Sequence, residues 1–186
     1  MNAQEIINFH TEIQVLLINA YKERGVDTVE KINQLTAKSK IEDALWKIPE
    51  AGQKNNPRYI SEGIKSIRDI LDRNGFKRHP KSIWTKKDIQ LLIQNHSSEI
   101  PSTDPDYYKY QFEHVVEKQT LIPLLFKAKN DDEIRYILST YNIGCLVLAH
   151  EHKDLPDKLF EINDPWIRYK TSRIKVWDTK ENNLLI

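Results

Sequence analysis

Ile6, Phe9, Ile13, Leu16 and Ala20 recur at three- and four-residue spacing, which predicts a long amphipathic helix stopping near Gly25. Asp27 followed by Glu30 has capping-box spacing and predicts a second helix to about Ala37. Ser39 with Glu42 repeats the device for a third, short helix ending before Pro49. Ile64, Ile67, Ile70 and Leu71 mark the inner face of a fourth, from about Ser61 to Arg73, with Asn74-Gly75 as its stop. Thr85 and Asp88 open a fifth, through about Asn95.

The stretch SSEIPSTDPD reads as a linker, because its Ser, Thr, Asp and Pro residues favour turns. We place a boundary there, between a helical region 1–100 and a second region 101–186. Beyond it, aromatic and β-branched residues predict a strand from about Tyr110 to Glu117. Asp131–Tyr141 has helical periodicity, and Gly144–Ala149 is a short apolar strand. A helix is expected over Glu151–Ile162, with Pro156 in its first turn or the start delayed. Asp164-Pro165 caps a last helix carrying Trp166, Arg168 and Tyr169, and SRIKVWD forms a final strand or a docked extension. The expected class is α+β: a mostly helical N-terminal half followed by a strand–strand–helix arrangement.

Composition narrows the partners. The chain has 186 residues, 39% of them hydrophobic and 30% charged, which suits one domain or two small ones with an ordinary core. A lone Cys145 excludes an internal disulfide and the four-cysteine zinc frameworks. No apolar run approaches the roughly 20 residues of a membrane span, and the N-terminus lacks the basic start of a signal peptide. A cytoplasmic protein with no membrane partner is expected. Net charge is only +1, yet residues 54–90 hold ten cations against four anions. A basic segment in a neutral chain is the footprint of phosphate contact. Its candidates are Lys65, Arg68, Lys77, Arg78, Lys81, Lys86 and Lys87, with Lys153 and Arg168 added from the C-terminal region. The stretch TVEKINQLTAKSKIEDALWKI has the look of a helix-turn-helix, so a non-catalytic DNA-binding regulator is an alternative reading.

Candidate chemistry concentrates between Gln111 and Leu155. Glu113 and His114 are adjacent on the first strand, and His150 and His152 stand where the second strand gives way to a helix. An imidazole takes up a proton near neutral pH, and a carboxylate with an imidazole suits a divalent ion. Neighbours on a regular strand point to opposite faces, so Glu113 and His114 converge only at a bent strand end.

EHVVEK and CLVLAHEHKDL together resemble the HNH nuclease family, the ββα-metal finger, over about 45 residues of the chain. The resemblance implies His114 as general base, Glu113 as metal ligand, and His152 or His150 as the second ligand. Asn142 matches the residue that props the catalytic histidine. The implied cofactor is Mg²⁺ or a similar divalent ion, and the implied activity is hydrolysis of phosphodiester bonds in double-stranded DNA. Small size suggests a restriction-type enzyme, as a homodimer if it cuts both strands of a symmetric site.

Overall fold

The computed structural model describes residues 2–34, 38–51, 57–77 and 83–186. The protein is α+β, with a mixed five-stranded sheet among its helices. Its chain forms two compact units, and neither is the division expected near residue 100. The first unit comprises Met1–Gly52, His114–Gly144 and Asp157–Ile167. The second comprises Gln53–Glu113, Cys145–Pro156 and Arg168–Ile186. SSEIPSTDPD falls inside the second unit, where Asp104 caps a turn of 3₁₀ helix at Pro105–Tyr108. Turn-forming composition marks a loop but does not say whether both flanks return to one core.

In the first unit, α1 spans Ala3–Glu23. Asn2 and Glu5 close its start as a reciprocal capping box. Gly25 at φ +77° ends it in the left-handed region open to glycine. The stripe that predicted this helix does not face the core. Gln14, Val15 and Ile18 are buried, whereas Phe9 and Leu16 are 54% and 69% exposed. α2 (Val29–Asn33) is capped by Thr28, which accepts from the Lys31 N–H, while Asp27 pairs with Lys31 instead.

Helix α3 (Lys38–Ala51) runs through Pro49 rather than ending before it. Proline has no N–H and its ring crowds the carbonyl four residues back. That carbonyl belongs to Leu45, and the side-chain amide of Asn142 donates to it at 3.0 Å. The donor supplied from elsewhere in the unit lets the last turn persist. α6 (Lys118–Lys127), unanticipated because Pro123 interrupts its apolar run, is followed by α7 (Asp131–Tyr141), which forms where expected. Val15, Ile18, Ile41, Leu45, Leu121, Leu125, Ile134 and Leu138 make the core of this unit.

In the second unit, β1 (Tyr59–Ser61) leads directly into α4 (Glu62–Arg73), whose Ile64, Ile67, Ile70 and Leu71 are buried as expected. α5 (Lys86–Asn95) opens on the Thr85–Asp88 capping box. β2 (Tyr110–His114) is shorter than expected, and β3 (Gly144–Leu148) is buried at every position. α8 (Ala149–Asp154) stops well short of Ile162 because Pro156 forbids its continuation. α9 (Ile167–Thr171), β4 (Val176–Asp178) and β5 (Asn183–Leu184) complete the chain. Strand order is β2-β3-β1-β4-β5, with β1 parallel to β3 and antiparallel to β4. Ala149 N–H bonds to Lys109 O and Val115 N–H to Ile143 O, a constant residue sum that makes β2 and β3 antiparallel. Among the described residues, no helix is long and apolar enough to cross a membrane.

Candidate functional site

Two antiparallel strands running into a helix put Glu113 near the end of β2 and His152 on α8 of the same unit. His152 Nε2 lies 3.0 Å from Glu113 Oε2. The other carboxylate oxygen accepts from Arg168 Nη1 at 3.2 Å. Arg168 is only 2% exposed, and its Nε donates to the Pro156 carbonyl at 2.8 Å. Glu113 is thus held from behind by a buried guanidinium, while His152, its side chain 39% exposed, meets solvent. Arg168 was expected to touch phosphate; burial and two bonds commit it to Glu113 and Pro156 instead.

The start of α8 is fixed by Glu151. Its Oε2 accepts from the Leu148 N–H at 2.8 Å and from the Ser61 hydroxyl at 2.5 Å. Ser61 in turn accepts from the Ile64 N–H at the head of α4. Gly63 permits this approach, since a Cβ there would stand 2.6 Å from Glu151 Oε1. Sequence reasoning passed over Glu151, Ser61 and Gly63. Their signal was an acid three residues after the last strand position, the spacing that closes a helix start. Residues two apart on a helix point to nearly opposite sides. So with His152 turned to Glu113, His150 is turned elsewhere: it is exposed and its ring sits 4.5 Å from that of Tyr107.

His114 and Asn142, expected as base and prop, lie in the first unit. His114 is 3% exposed and its ring centroid stands 3.7 Å from that of Trp46. Burial, and then the charge of Lys118, hold its pKa down to about 3, while hydrogen bonds to the Leu45 backbone and the Asn142 side chain act the other way. An imidazole enclosed and neutral in this way is a poor proton acceptor for bulk water. His114 and Asn142 are brought together as expected, but around the Leu45 carbonyl that Pro49 leaves free. That environment removes the basis for a solvent-facing base at His114.

The expected phosphate contacts divide three ways. Arg68 is buried, bonded to Asp72 and to the Ile83 carbonyl, so it is not a surface cation. Lys65 forms an ion pair with Asp69 one turn on. Lys77, Lys86, Lys87 and Lys153 are exposed. Arg78 and Lys81 lie outside the described residues. Of the helix-turn-helix-like pair, Ile41, Leu45 and Ile48 of α3 are spent on the core.

For a divalent ion the donors available are one carboxylate and one imidazole; among the described residues no third His, Cys, Asp or Glu joins them. Glu113 Oε2 and His152 Nε2 are in direct contact at 3.0 Å and reach solvent on the imidazole side, so these two groups would be the ones to hold an ion, with its remaining positions left to water and phosphate oxygens.

No family model matches the chain, and neither curated proteins nor solved structures include a significant match.

Proposed function

We propose that the protein is a metal-dependent endonuclease that hydrolyses DNA phosphodiester bonds, with Glu113 and His152 as its two protein ligands to Mg²⁺ or a similar ion. The observation that carries this reading is the 3.0 Å approach of His152 Nε2 to Glu113 Oε2, between strand β2 and the helix that follows strand β3. Glu113 is oriented by Arg168, and His152 by the anchoring of α8 through Glu151. When bound, the ion would place positive charge on the phosphate oxygens and lower the pKa of a coordinated water. Lys153, one residue beyond His152, is exposed and available to phosphate.

A second reading rests on Arg168. A carboxylate held by a buried guanidinium can act as the orienting partner of a histidine that itself serves as general base. Glu113–His152 is then a dyad that works without metal. Supercoiled plasmid separates the alternatives. The first expects nicking with Mg²⁺ or Mn²⁺, none in chelator, and none from His152→Ala or Glu113→Gln, each still binding DNA. Nicking that persists in chelator but not in His152→Ala selects the dyad. Salt-sensitive binding without any nicking overturns both and leaves the DNA-binding regulator.

A further inference from the structure

A cleft of about 440 Å³ opens in the second unit between the start of α5 and the Pro105–Tyr108 turn. That volume lies within the range of about 300–1,000 Å³ typical of small-ligand sites. Trp84, Tyr108 and Tyr110 give the cleft an aromatic lining, with Lys86 and Lys109 beside them. The rings keep their polar atoms for the protein. Trp84 Nε1 donates to the Tyr108 carbonyl at 3.0 Å and Tyr108 Oη to the Ser102 carbonyl, while Tyr110 Oη accepts from the Ile83 N–H at 3.3 Å. These three rings therefore offer a ligand carbon surface rather than directed hydrogen bonds.

Charge identifies the other half of the ligand. Lys86 and Lys87 occupy the first turn of α5, where the helix macrodipole disfavours a cation. Both are exposed, and neither has a partner among the described residues. Lys109 is paired with Asp106 at 2.9 Å, so Lys86 is the free cation of the cleft. The same turn carries a second stacking surface. The Tyr107 ring stands 4.5 Å from that of His150, tilted by only 30°. His150 is exposed, and Lys153, also exposed, lies three residues on and shares its side of α8. The Ala149 N–H donates to the Lys109 carbonyl at 2.8 Å, which ties α8 to this turn. An aromatic hollow beside a free cation suits a nucleobase and its phosphate, and two such stations suit a strand rather than a single nucleotide. A base stacks on a protein ring only once it has left its own duplex. We propose that this part of the second unit binds single-stranded DNA, with one base in the cleft and its phosphate on Lys86, and a second base on the His150 ring beside Lys153. The site deepens the DNA half of the proposed function and does not depend on hydrolysis.

Fluorescence anisotropy of the full chain with a labelled oligothymidylate about 12 nucleotides long tests the proposal, in chelator so that no cleavage enters. The strand is expected to bind in a salt-sensitive manner. A duplex of the same length and thymidine 5′-monophosphate are each expected to bind at least about tenfold more weakly. Lys86→Glu should weaken strand binding about tenfold and leave the thermal midpoint unchanged or higher, since an acid suits the first turn of α5. His150→Ala should lose about as much and His150→Phe recover it, because either ring can stack. On titration with the strand, the NMR signal of the Trp84 indole N–H should move and that of Trp46, in the first unit, should stay. No binding, a duplex or mononucleotide bound as tightly as the strand, full binding by Lys86→Glu, or no recovery in His150→Phe overturns the proposal. Metal-dependent nicking of plasmid is read separately, so failure here leaves the hydrolytic reading standing, and failure there leaves this site standing.

Discussion

Asn142 and Leu45 meet 97 residues apart in sequence, the side-chain amide of one donating to the main-chain carbonyl of the other at 3.0 Å. The bond exists because Pro49 cannot supply the helical N–H that would otherwise fill that carbonyl. Asn142→Ala should therefore cost about 1–3 kcal/mol, because the buried Leu45 carbonyl and the buried His114 ring each lose one of their hydrogen-bond partners. In a Pro49→Ala background the helix regains its own donor and the same change should cost less. Urea unfolding of the four proteins measures the coupling, and strict additivity would show that the two residues act independently.

His114 makes stability depend on acid. Its folded pKa of about 3 lies below the unfolded value of about 6.5, so between the two only the unfolded state takes up the proton. Stability is full above pH 6.5, falls by up to about 1.4 kcal/mol per pH unit below it, and levels off near pH 3. Denaturant midpoints over that range should show the slope, and His114→Gln should flatten it. An unflattened slope would assign the acid sensitivity to other groups.

Legibility followed the range over which each feature is decided. α4, α5 and α7 were readable because their periodicity and caps lie within a dozen residues: Ser61, Thr85 and Asn130 each accept at the helix start. α3 was misjudged at Pro49 because the compensating donor is remote. The α1 stripe was found, but periodicity does not tell which of two apolar faces meets the core; Val15 and Ile18 do. Glu113, His152 and His150 were picked out together. Which imidazole turns to the carboxylate depends on the phase of α8, set by Glu151 and Ser61 across the sheet. The enclosure of His114 was not foreseen, because the groups that enclose it, Trp46 and Leu45, come from a distant helix.

Arg168 ties Glu113 to the body of the second unit. Arg168→Ala removes a buried cation and leaves both the Glu113 carboxylate and the Pro156 carbonyl short of a donor. The expected destabilisation is about 3–5 kcal/mol, the range for breaking a buried ion pair. Arg168→Lys keeps the charge but cannot reach both acceptors with a planar fork, so an intermediate loss is expected. Thermal and urea unfolding measure the series; equal losses for Lys and Ala would mean that the fork alone matters and the charge does not.

At Gly63 the head of α4 meets the start of α8 with no room for a side chain. A methyl group there would meet Glu151 Oε1 at 2.6 Å and Leu148 Cδ1 at 2.8 Å. Gly63 carries no positive φ, so the effect of Gly63→Ala is one of space rather than backbone strain. Displacing Glu151 breaks its bonds to Ser61 and Leu148, and overpacking of this kind costs about 1–3 kcal/mol. The change should also rotate α8 and move His152 away from Glu113. Two-dimensional NMR of the histidine ring protons would then show His152 perturbed and the enclosed His114 unmoved. Combining Gly63→Ala with Glu151→Ala removes the nearer obstacle but not Leu148, so the second substitution should restore only part of the lost packing. Full restoration would mean that the carboxylate alone fills the space, and an undisturbed His152 would mean that α8 keeps its orientation without the Ser61–Glu151 bond.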